Sequence, residues 1–554
     1  MRTLEQALLD HELIVLRVIA EWLGLDLTGA DKAESVEQVA AALAGVDLLQ
    51  EVEYLEPEEA AALAELVRLG GRAPVAVFSR DHGEVRAMGP GRLEREEPWL
   101  DPVSPAEALW YRGFLYRGFD QTGEGTLEFY YLPQELLARL APTTTVVRES
   151  PDAPRLEPID APEQSRPPVD DAVDDLTTLL ALAQRTGLHP DRLPDLRGLL
   201  MNPDRDRRSL LLTLATEMLL LRRTDERLRP TRAALDWLQR SREAQLRALV
   251  DAWSRSVWNE LRHTPGLVAE GEAWQNDPLL ARTALMDVLP ADERWYRLAD
   301  VVAVVRQQDP DFQRPDGNYE TWYLRDAETR EYLSGFAEWE RVEGRLLRYL
   351  IQGPLYWLGM VELSAATDAA RAAYRLSPRA LAWLGDEPPP ADEVRVPLIV
   401  QPEGVLLVPH NASRYERFQA ARIADPESFV PGKPYRYRIV PSSLAQAREQ
   451  GIEPERMIKF LETASGRPVP TSVRRGISRW SEHGIEGRLQ AVVVLRVGDA
   501  AILETLRTNP KTRDYIAEAL GELAVVVRAG QWEAFRQAVA GLGLLLDVEV
   551  GSGQ

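Results

Sequence analysis

Several residue types and patterns are missing or scarce in this sequence, and each absence excludes a class of protein. There is no cysteine, which excludes thiol catalysis, disulfide cross-links and zinc fingers. The six histidines are scattered, and no HExxH helix or serine elbow accompanies them. No uncharged apolar run reaches about 18 residues, and the first apolar stretch contains acidic residues, so neither a membrane span nor a signal peptide is predicted. We expect a cytoplasmic location.

The composition is that of a folded chain whose charge is unevenly distributed. With 554 residues, 45% of them hydrophobic, and 14 tryptophans, the sequence is too apolar for a disordered protein and long enough for three or four domains. The net charge is −22, yet residues 397–554 carry 20 Lys and Arg against 18 Asp and Glu, which leaves −24 for the rest. A surface that coats nucleic acid everywhere is therefore excluded, whereas a local basic face is not.

The periodicity of the apolar residues predicts an α+β protein that is predominantly α and has several domains. Winged-helix modules are expected on either side of a helical middle, with an α+β unit at the C-terminus. The predicted ranges are an N-terminal helical and winged-helix domain (1–140), a Pro-rich connector (141–169), a helical domain (170–306), a second winged-helix candidate (307–387), a Pro-rich linker (388–396) and the C-terminal α+β unit (397–554).

The first winged helix is predicted from amphipathic helices that are followed by two strands. Apolar residues at three- and four-residue spacing predict helices within 13–23 and 36–43. The strand-like runs 114–117 and 127–131, separated by a glycine-containing turn at 123–125, predict a hairpin.

Leucine-rich helical spacing predicts that the next domain, 170–306, is all-helical. After it, the apolar face of residues 339–350 predicts a helix that the Gly353-Pro354 pair ends. The runs 355–363 and 374–376 then supply the strands of a second wing.

Successive helices are predicted in the C-terminal unit. The first two begin at Pro441 and Pro454, since proline is favoured in the first helical turn. The third helix, over 471–480, places three apolar residues at i, i+4 and i+7 on one face: Val473, Ile477 and Trp480. A strand over 489–496, a turn at 497–499 and a second strand from Ala500 predict a wing after this helix.

The outer face of the third helix is interpreted as a DNA-binding site, assisted by the wing. The predicted contact residues are Arg474, Arg475, Ser478, Arg479 and Arg496. Arginines in this position of a helix-turn-helix module can reach phosphates or the O6 and N7 atoms of guanine. The few phosphate contacts predict weak, salt-dependent binding. Two alternatives stay open, namely solvation with local ion pairs and contact with a protein partner.

Other conspicuous residues are assigned structural roles. The carboxylates Asp170, Asp171, Asp174 and Asp175 stand at a helix start, where they favour the positive end of the helix dipole, so no metal site is predicted. His82 and the segment 89–92 are assigned to turns. The aromatic residues that could stack on bases are assigned to the core: Trp110, Tyr111, Tyr130 and Tyr131.

Three segments of the C-terminal unit resemble the N-terminal domain of XPB-type DNA helicases. They are PLIVQPEG (397–404), YRIVPSSL (437–444) with Ala447 and Gly451, and IKFL (458–461) leading to Val469-Pro470. The resemblance covers about 397–515. Upstream, Pro98-Trp99 and SPAEALWYRG (104–113) are similar to bacterial helicase-associated proteins that carry this domain. The resemblance implies a domain that lies beside a DNA-translocating motor and helps to place it on DNA or on companion subunits.

The sequence has no motif that would cradle nucleotide phosphates. Its only Gly-Lys pair, Gly432-Lys433, is followed by Pro434, so the P-loop pattern is absent and no catalytic residue or cofactor is predicted. We expect a non-catalytic, helicase-associated protein that binds DNA, positions a separate helicase or nuclease subunit, or does both, in DNA repair or transcription. The alternative is a protein scaffold whose winged helices never contact DNA. A hydrolase is a remote third class, and no oligomeric state is predicted.

Overall fold

The chain folds into an α+β protein that is predominantly helical, as the sequence predicts. The computed structural model describes residues 3–122, 125–140, 156–190, 192–271, 276–366, 368–385, 394–485, 487, 492–528 and 530–549. Its backbone divides into two compact units, of which the first comprises residues 1–451 and 460–468 and the second comprises residues 452–459 and 469–554. The finer domain ranges given above stay a prediction.

Short helices open the first unit. They are α1 (Leu4–Leu9), α2 (Leu13–Trp22), α3 (Lys32–Gly45) and α4 (Leu48–Glu53). The side chains of Thr3 and Asp31 cap α1 and α3 by accepting a hydrogen bond from the backbone N–H three residues on. The two predicted amphipathic helices are confirmed as α2 and α3. Their apolar faces lie in one core, where Leu16 and Leu43 are fully buried.

A helical segment that ends in a hairpin follows. Its elements are α5 (Pro57–Arg68), β1 (Arg72–Pro74), α6 (Val75–His82), α7 (Pro90–Glu96), α8 (Pro105–Tyr111), β2 (Tyr116–Thr122), β3 (Gly125–Tyr131) and α9 (Gln134–Leu140). The antiparallel pairing of β2 with β3 confirms the predicted hairpin, and β1 pairs with the other edge of β3, so the sheet order is β1-β3-β2. In the predicted turn, residues 123 and 124 lie outside the described residues.

The middle of the first unit contains strands as well as helices. Its elements are β4 (Ser165–Arg166), α10 (Ala172–Thr186), α11 (Arg205–Glu217), β5 (Leu221–Thr224), β6 (Arg227–Pro230), α12 (Arg232–Leu238), α13 (Arg242–Trp253), β7 (Leu267–Ala269), α14 (Pro278–Val288), β8 (Tyr296–Arg297) and α15 (Leu298–Gln308). The all-helical prediction for 170–306 is therefore wrong. Leu219 has a φ of 58°, which ends the helical path, and Leu221 and Leu228 then bury one face of the β5-β6 hairpin.

The described part of the predicted connector is extended and joins sheets of the first unit. Residues 141–155 lie outside the described residues. Ile159 forms an antiparallel bridge with Trp295, and β4 pairs with a later strand, β10 (Val361–Ser364). Of the predicted linker 388–396, residues 388–393 are likewise outside the described part.

The last segment of the middle runs from β9 (Leu324–Asp326) to α17 (Pro378–Leu384) and contains a helix and a hairpin. Between them, α16 (Arg345–Leu350) is flanked by π-helical turns at Glu340–Gly344 and Ile351–Leu355. The prediction that Gly353-Pro354 breaks this helix is wrong, because Pro354 lies inside the wide second turn. Such a turn shifts the backbone hydrogen-bond pattern, so it can hold a proline that has no N–H. Strands β10 and β11 (Ala373–Leu376) then form the second predicted hairpin.

The same order of elements occurs in three places in the first unit. In each, a helix, a short strand or single β-bridge, and one to three further α-helices are followed by a hairpin: residues 57–131, 172–230 and 278–376, the last of which also contains β9. The short strand always pairs with the second strand of the hairpin, giving β1-β3-β2, a bridge from Leu188 to β6 beside β5, and β8-β11-β10. The sequence predicts two such modules.

The C-terminal part of the chain contributes to both units. Its elements are β12 (Ile399–Val400), β13 (Val405–Val408), α18 (Arg414–Ile423), β14 (Asp425–Pro426), β15 (Tyr435–Arg438), α19 (Pro441–Glu449), α20 (Pro454–Ser465), α21 (Thr471–His483), β16 (Val493–Arg496), α22 (Ala500–Thr508), β17 (Ile516–Ala519), β18 (Ala524–Val527) and α23 (Trp532–Ala540). The sheets have the orders β12-β13-β15-β14 and β16-β18-β17. In the second unit, Leu495, Leu506 and Phe535 are part of a small apolar core.

Candidate nucleic-acid interface

Helix α21 has the amphipathic form that its sequence predicts. Val473 and Ile477 are buried, and Trp480 is half-buried on the same face. Gly484 ends the helix with a φ of 70°, a left-handed conformation that favours glycine, and its N–H donates to the carbonyl oxygen of Trp480. The buried face determines which residues of α21 face the solvent, and Gly484 determines where the helix ends.

The outer face of α21 brings together most of the predicted DNA-binding residues. Arg474, Arg475 and Arg479 are exposed, and Ser478 is partly exposed. At about 100° per helical residue, these four side chains span an arc of about 140° opposite the buried face. Arg474 and Arg479 also interact with other residues of the chain. The result is a cluster of three guanidinium groups on one side of one helix.

An acidic residue borders this cluster. Glu482 follows one turn after Ser478 and Arg479, and its side chain is 70% exposed. The nearest distance between its carboxylate and the Nδ1 atom of His483 is 3.8 Å. With three arginines and one glutamate, the outer face of α21 carries a net charge of about +2 at neutral pH, which is less than the arginines alone would supply.

Arg496 does not lie on a wing of the predicted form. It is exposed at the end of β16 and pairs through its backbone with Ala524 of β18. The predicted second strand from Ala500 is wrong, because α22 begins there and Asp499 caps it by accepting a hydrogen bond from the N–H of Ala501. Of the predicted strand over 489–496, residues 489–491 lie outside the described residues. No described contact joins Arg496 to α21.

The carboxylates lie at the start of α10, as predicted, and the fold also uses them in ion pairs and hydrogen bonds. Asp175 accepts hydrogen bonds from the backbone N–H groups of Met201 and Asn202 and forms a salt bridge with buried Arg207. Oδ1 of Asp171 lies 2.7 Å from Nη2 of Arg207. Burial of Asp171 raises the pKa of its carboxyl to about 6. Among the residues that the structure describes, no group of histidines and carboxylates is arranged to hold a metal ion.

The other motifs set aside on sequence grounds belong to the fold. Tyr111, Tyr130 and Tyr131 are buried, which confirms their assignment to the core and removes them as a base-stacking platform. Trp110 is half-buried and makes an edge contact with the ring of His11 at 4.5 Å. His82 is the last residue of α6 rather than a turn residue.

A second group of exposed cations was missed by sequence reasoning. Four exposed arginines lie on the β5-β6 hairpin: Arg222, Arg223, Arg227 and Arg229. The leucine spacing of residues 170–306 predicts a helix here, whereas the structure has a hairpin. The available signal was the run RRTDERLRP, in which charged residues flank a possible Asp-Glu turn and a single leucine.

The comparisons with known proteins relate this part of the chain to helicases. A family described as the helicase conserved C-terminal domain matches residues 398–521, from β12 to β17 and including α21. The match covers less than a quarter of the chain and supports a helicase-associated protein. No curated protein matches the chain. Across the described part of the chain, no helix combines the length and apolar character needed to cross a membrane.

Proposed function

We propose that this protein binds DNA through the outer face of α21 and serves a separate helicase or nuclease subunit without catalysing turnover itself. The observation that carries the proposal is the cluster of Arg474, Arg475 and Arg479, exposed on one helix inside the segment that matches a helicase family. Guanidinium groups donate to phosphate oxygens in a forked geometry and keep their charge at every physiological pH.

The absence of a P-loop sequence supports the non-catalytic part of the proposal. Gly432 and Lys433 lie in an exposed turn before β15, and Pro434 follows where the P-loop pattern requires Ser or Thr. The motor would then belong to another polypeptide. The resemblance to the N-terminal domain of XPB-type helicases supports the same role, since that domain accompanies a DNA-translocating motor. We place this role in DNA repair or transcription.

The experiment that tests DNA binding uses the full chain and a labelled duplex. Fluorescence anisotropy at low salt should show weak binding by the wild type, and Arg474→Ala/Arg475→Ala/Arg479→Ala should weaken it severalfold and reduce its dependence on salt. The matched control removes three other exposed arginines of the second unit: Arg507, Arg513 and Arg536. Equal binding by the wild type and the α21 variant would exclude this helix as the site.

A second function, a protein scaffold, is favoured by a different observation. We infer that the three repeated modules are winged helices, because in each one the short strand pairs with the second strand of the hairpin. In two of them, the helix before the hairpin is largely buried: α8 buries Leu109 and Tyr111, and α11 buries Leu210 and Leu214. Helices packed in this way cannot enter a DNA groove, so in this second function the modules would bind proteins through their remaining surfaces. A pull-down with the full chain that recovers a helicase or nuclease subunit equally well before and after nuclease treatment would support this scaffold role.

A further inference from the structure

The β5-β6 hairpin carries its arginines on a defined face. Arg222 pairs directly with Arg229, and Thr224 pairs with Arg227. Because side chains alternate along a strand, these four residues share one face of the hairpin, and the buried residues Leu221 and Leu228 lie on the other. The hairpin is therefore held to the protein by its apolar face and presents a polar face with three arginines.

Two of these arginines form no described ion pair. Arg227 donates to the carbonyl oxygen of Thr186, so the fold uses its guanidinium group. Arg222 and Arg229 are exposed and form no salt bridge with any residue that the structure describes. Like charges directly opposite each other on neighbouring strands destabilise a hairpin. An unpaired Arg-Arg cross-strand pair is therefore a cost that an anionic partner would remove.

The charge around the hairpin contrasts with that of its surroundings. Residues 205–242 contain ten arginines and five acidic residues, within a stretch, 1–396, whose net charge is −24. Arg232 and Arg240 in this segment are also exposed. A cationic segment in an acidic stretch complements a polyanion locally, while the acidic remainder of that stretch repels it.

We propose that Arg222 and Arg229 on the outer face of the β5-β6 hairpin bind the phosphate backbone of duplex DNA. The proposal rests on the proposed function and adds a second DNA contact, in the first unit. Helix α11, which precedes the hairpin, packs inside the protein through Leu210 and Leu214 and cannot read a groove. The hairpin contact is therefore independent of base sequence and strongly dependent on salt.

The test measures duplex affinity against salt concentration for four forms of the full chain. They are the wild type, the hairpin variant Arg222→Gln/Arg229→Gln, the α21 triple alanine variant, and the combination of both sets. The hairpin variant should lower the slope of log K against log salt by about 2, since each phosphate contact contributes about 0.9. The slope should not change when the base sequence of the duplex is scrambled.

Two control pairs separate the hairpin from general effects of charge and folding. Arg222→Lys/Arg229→Lys keeps both charges and should retain most of the slope. Arg68→Gln/Arg92→Gln removes two exposed arginines that pair with helix neighbours, Glu65 and Glu96, and should leave binding unchanged.

The outcomes distinguish the two DNA contacts. A hairpin variant with the wild-type slope overturns the hairpin proposal, whatever the α21 variant does. An α21 variant that binds like the wild type overturns the proposed role of α21, while a loss of slope in the hairpin variant would still support this inference. If the hairpin variant loses binding to a labelled polyglutamate probe but keeps its binding to DNA, the face recognises acidic proteins and the assignment to DNA is overturned.

Discussion

Arg417 on α18 forms a buried salt bridge with Asp174 on α10, with 2.9 Å between Nη1 and Oδ1 and side chains only 4% and 3% exposed. The guanidinium group of Arg417 also donates to the hydroxyl of Tyr437 and stacks over the ring of Tyr435. Asp174 accepts a second charge-assisted contact from Arg242 of α13. One carboxylate thus ties α18, which follows the helical middle in sequence, to α10 and α13.

Loss of this carboxylate should destabilise the first unit strongly. Asp174→Asn leaves buried Arg417 without its described carboxylate partner, whereas Arg242 keeps its contact with Asp170. An uncompensated buried charge costs about 3–5 kcal/mol. Urea unfolding followed by tryptophan fluorescence should show the first unit unfolding at a much lower concentration. As a control, Glu96→Gln removes an exposed partner of Arg92 and should cost less than about 1 kcal/mol. Similar decreases in the free energy of unfolding for Asp174→Asn and Glu96→Gln would contradict a stabilising role of Asp174.

The contribution of Glu343 to the stability of the first unit should fall as the pH rises from about 4.5 to 7. Burial raises the pKa of this carboxyl to about 7, although Arg314 lies 3.0 Å away and opposes the shift. Below pH 4.5, the carboxyl of Glu343 is protonated in both the folded and the unfolded state. Between pH 4.5 and 7, the unfolded chain loses this proton first, so unfolding becomes more favourable as the pH rises.

The variant Glu343→Gln should remove this component. Relative to the wild type, its free energy of unfolding should increase by up to about 3 kcal/mol between pH 4.5 and 8, whatever the offset at pH 4.5. The control is Glu340→Gln, which removes a half-exposed carboxyl from the same helical segment and should show the wild-type pH dependence. Parallel pH profiles for Glu343→Gln and the wild type would refute the raised pKa.

Two glycines of α21 should respond to alanine in opposite directions. Gly476 lies inside the helix, where a Cβ atom would meet nothing within 4 Å, so Gly476→Ala should stabilise the second unit by roughly 0.5–1 kcal/mol. Gly484 has equally open surroundings but a φ of 70°, so Gly484→Ala should destabilise it by roughly 1 kcal/mol. Thermal unfolding measures both changes. A stabilising Gly484→Ala would contradict the left-handed end of the helix.

Local sequence signals account for much of the fold and for the shape of α21. The caps and apolar spacing of 441–483 are short-range features, so α19, α20 and α21 were predictable. The error at Ala500 arose because Ala-Ala-Ile-Leu fits a strand or a helix, and only the Asp499 cap distinguishes them. Helix spacing also placed Arg474, Arg475 and Arg479 on one face, where the structure has them.

Local sequence signals could not predict contacts between residues that are far apart in the sequence. Asp174 and Arg417 are 243 residues apart, and no local pattern indicates that one will neutralise the other. The cross-strand pair of Arg222 and Arg229 is also invisible until the hairpin register is known. A leucine run followed by arginines has the composition typical of a helix end, so the local sequence favours a helix here. The strand conformation of β6 goes with the burial of Leu228, a tertiary contact that local sequence does not show.

The arginine pair of the β5-β6 hairpin should show a trade-off between stability and DNA binding. Arg222→Glu places a carboxylate opposite Arg229 and replaces repulsion by attraction, which should stabilise the first unit by about 0.2–1 kcal/mol. The same change adds a negative charge where a phosphate would lie, so duplex affinity should fall and its salt dependence weaken. Arg223→Glu is the control: it lies opposite Leu228, so affinity should fall less and stability should not rise. Thermal unfolding and anisotropy on the same samples give both quantities, and a variant that loses stability and affinity together would indicate that Arg222 holds the hairpin in place.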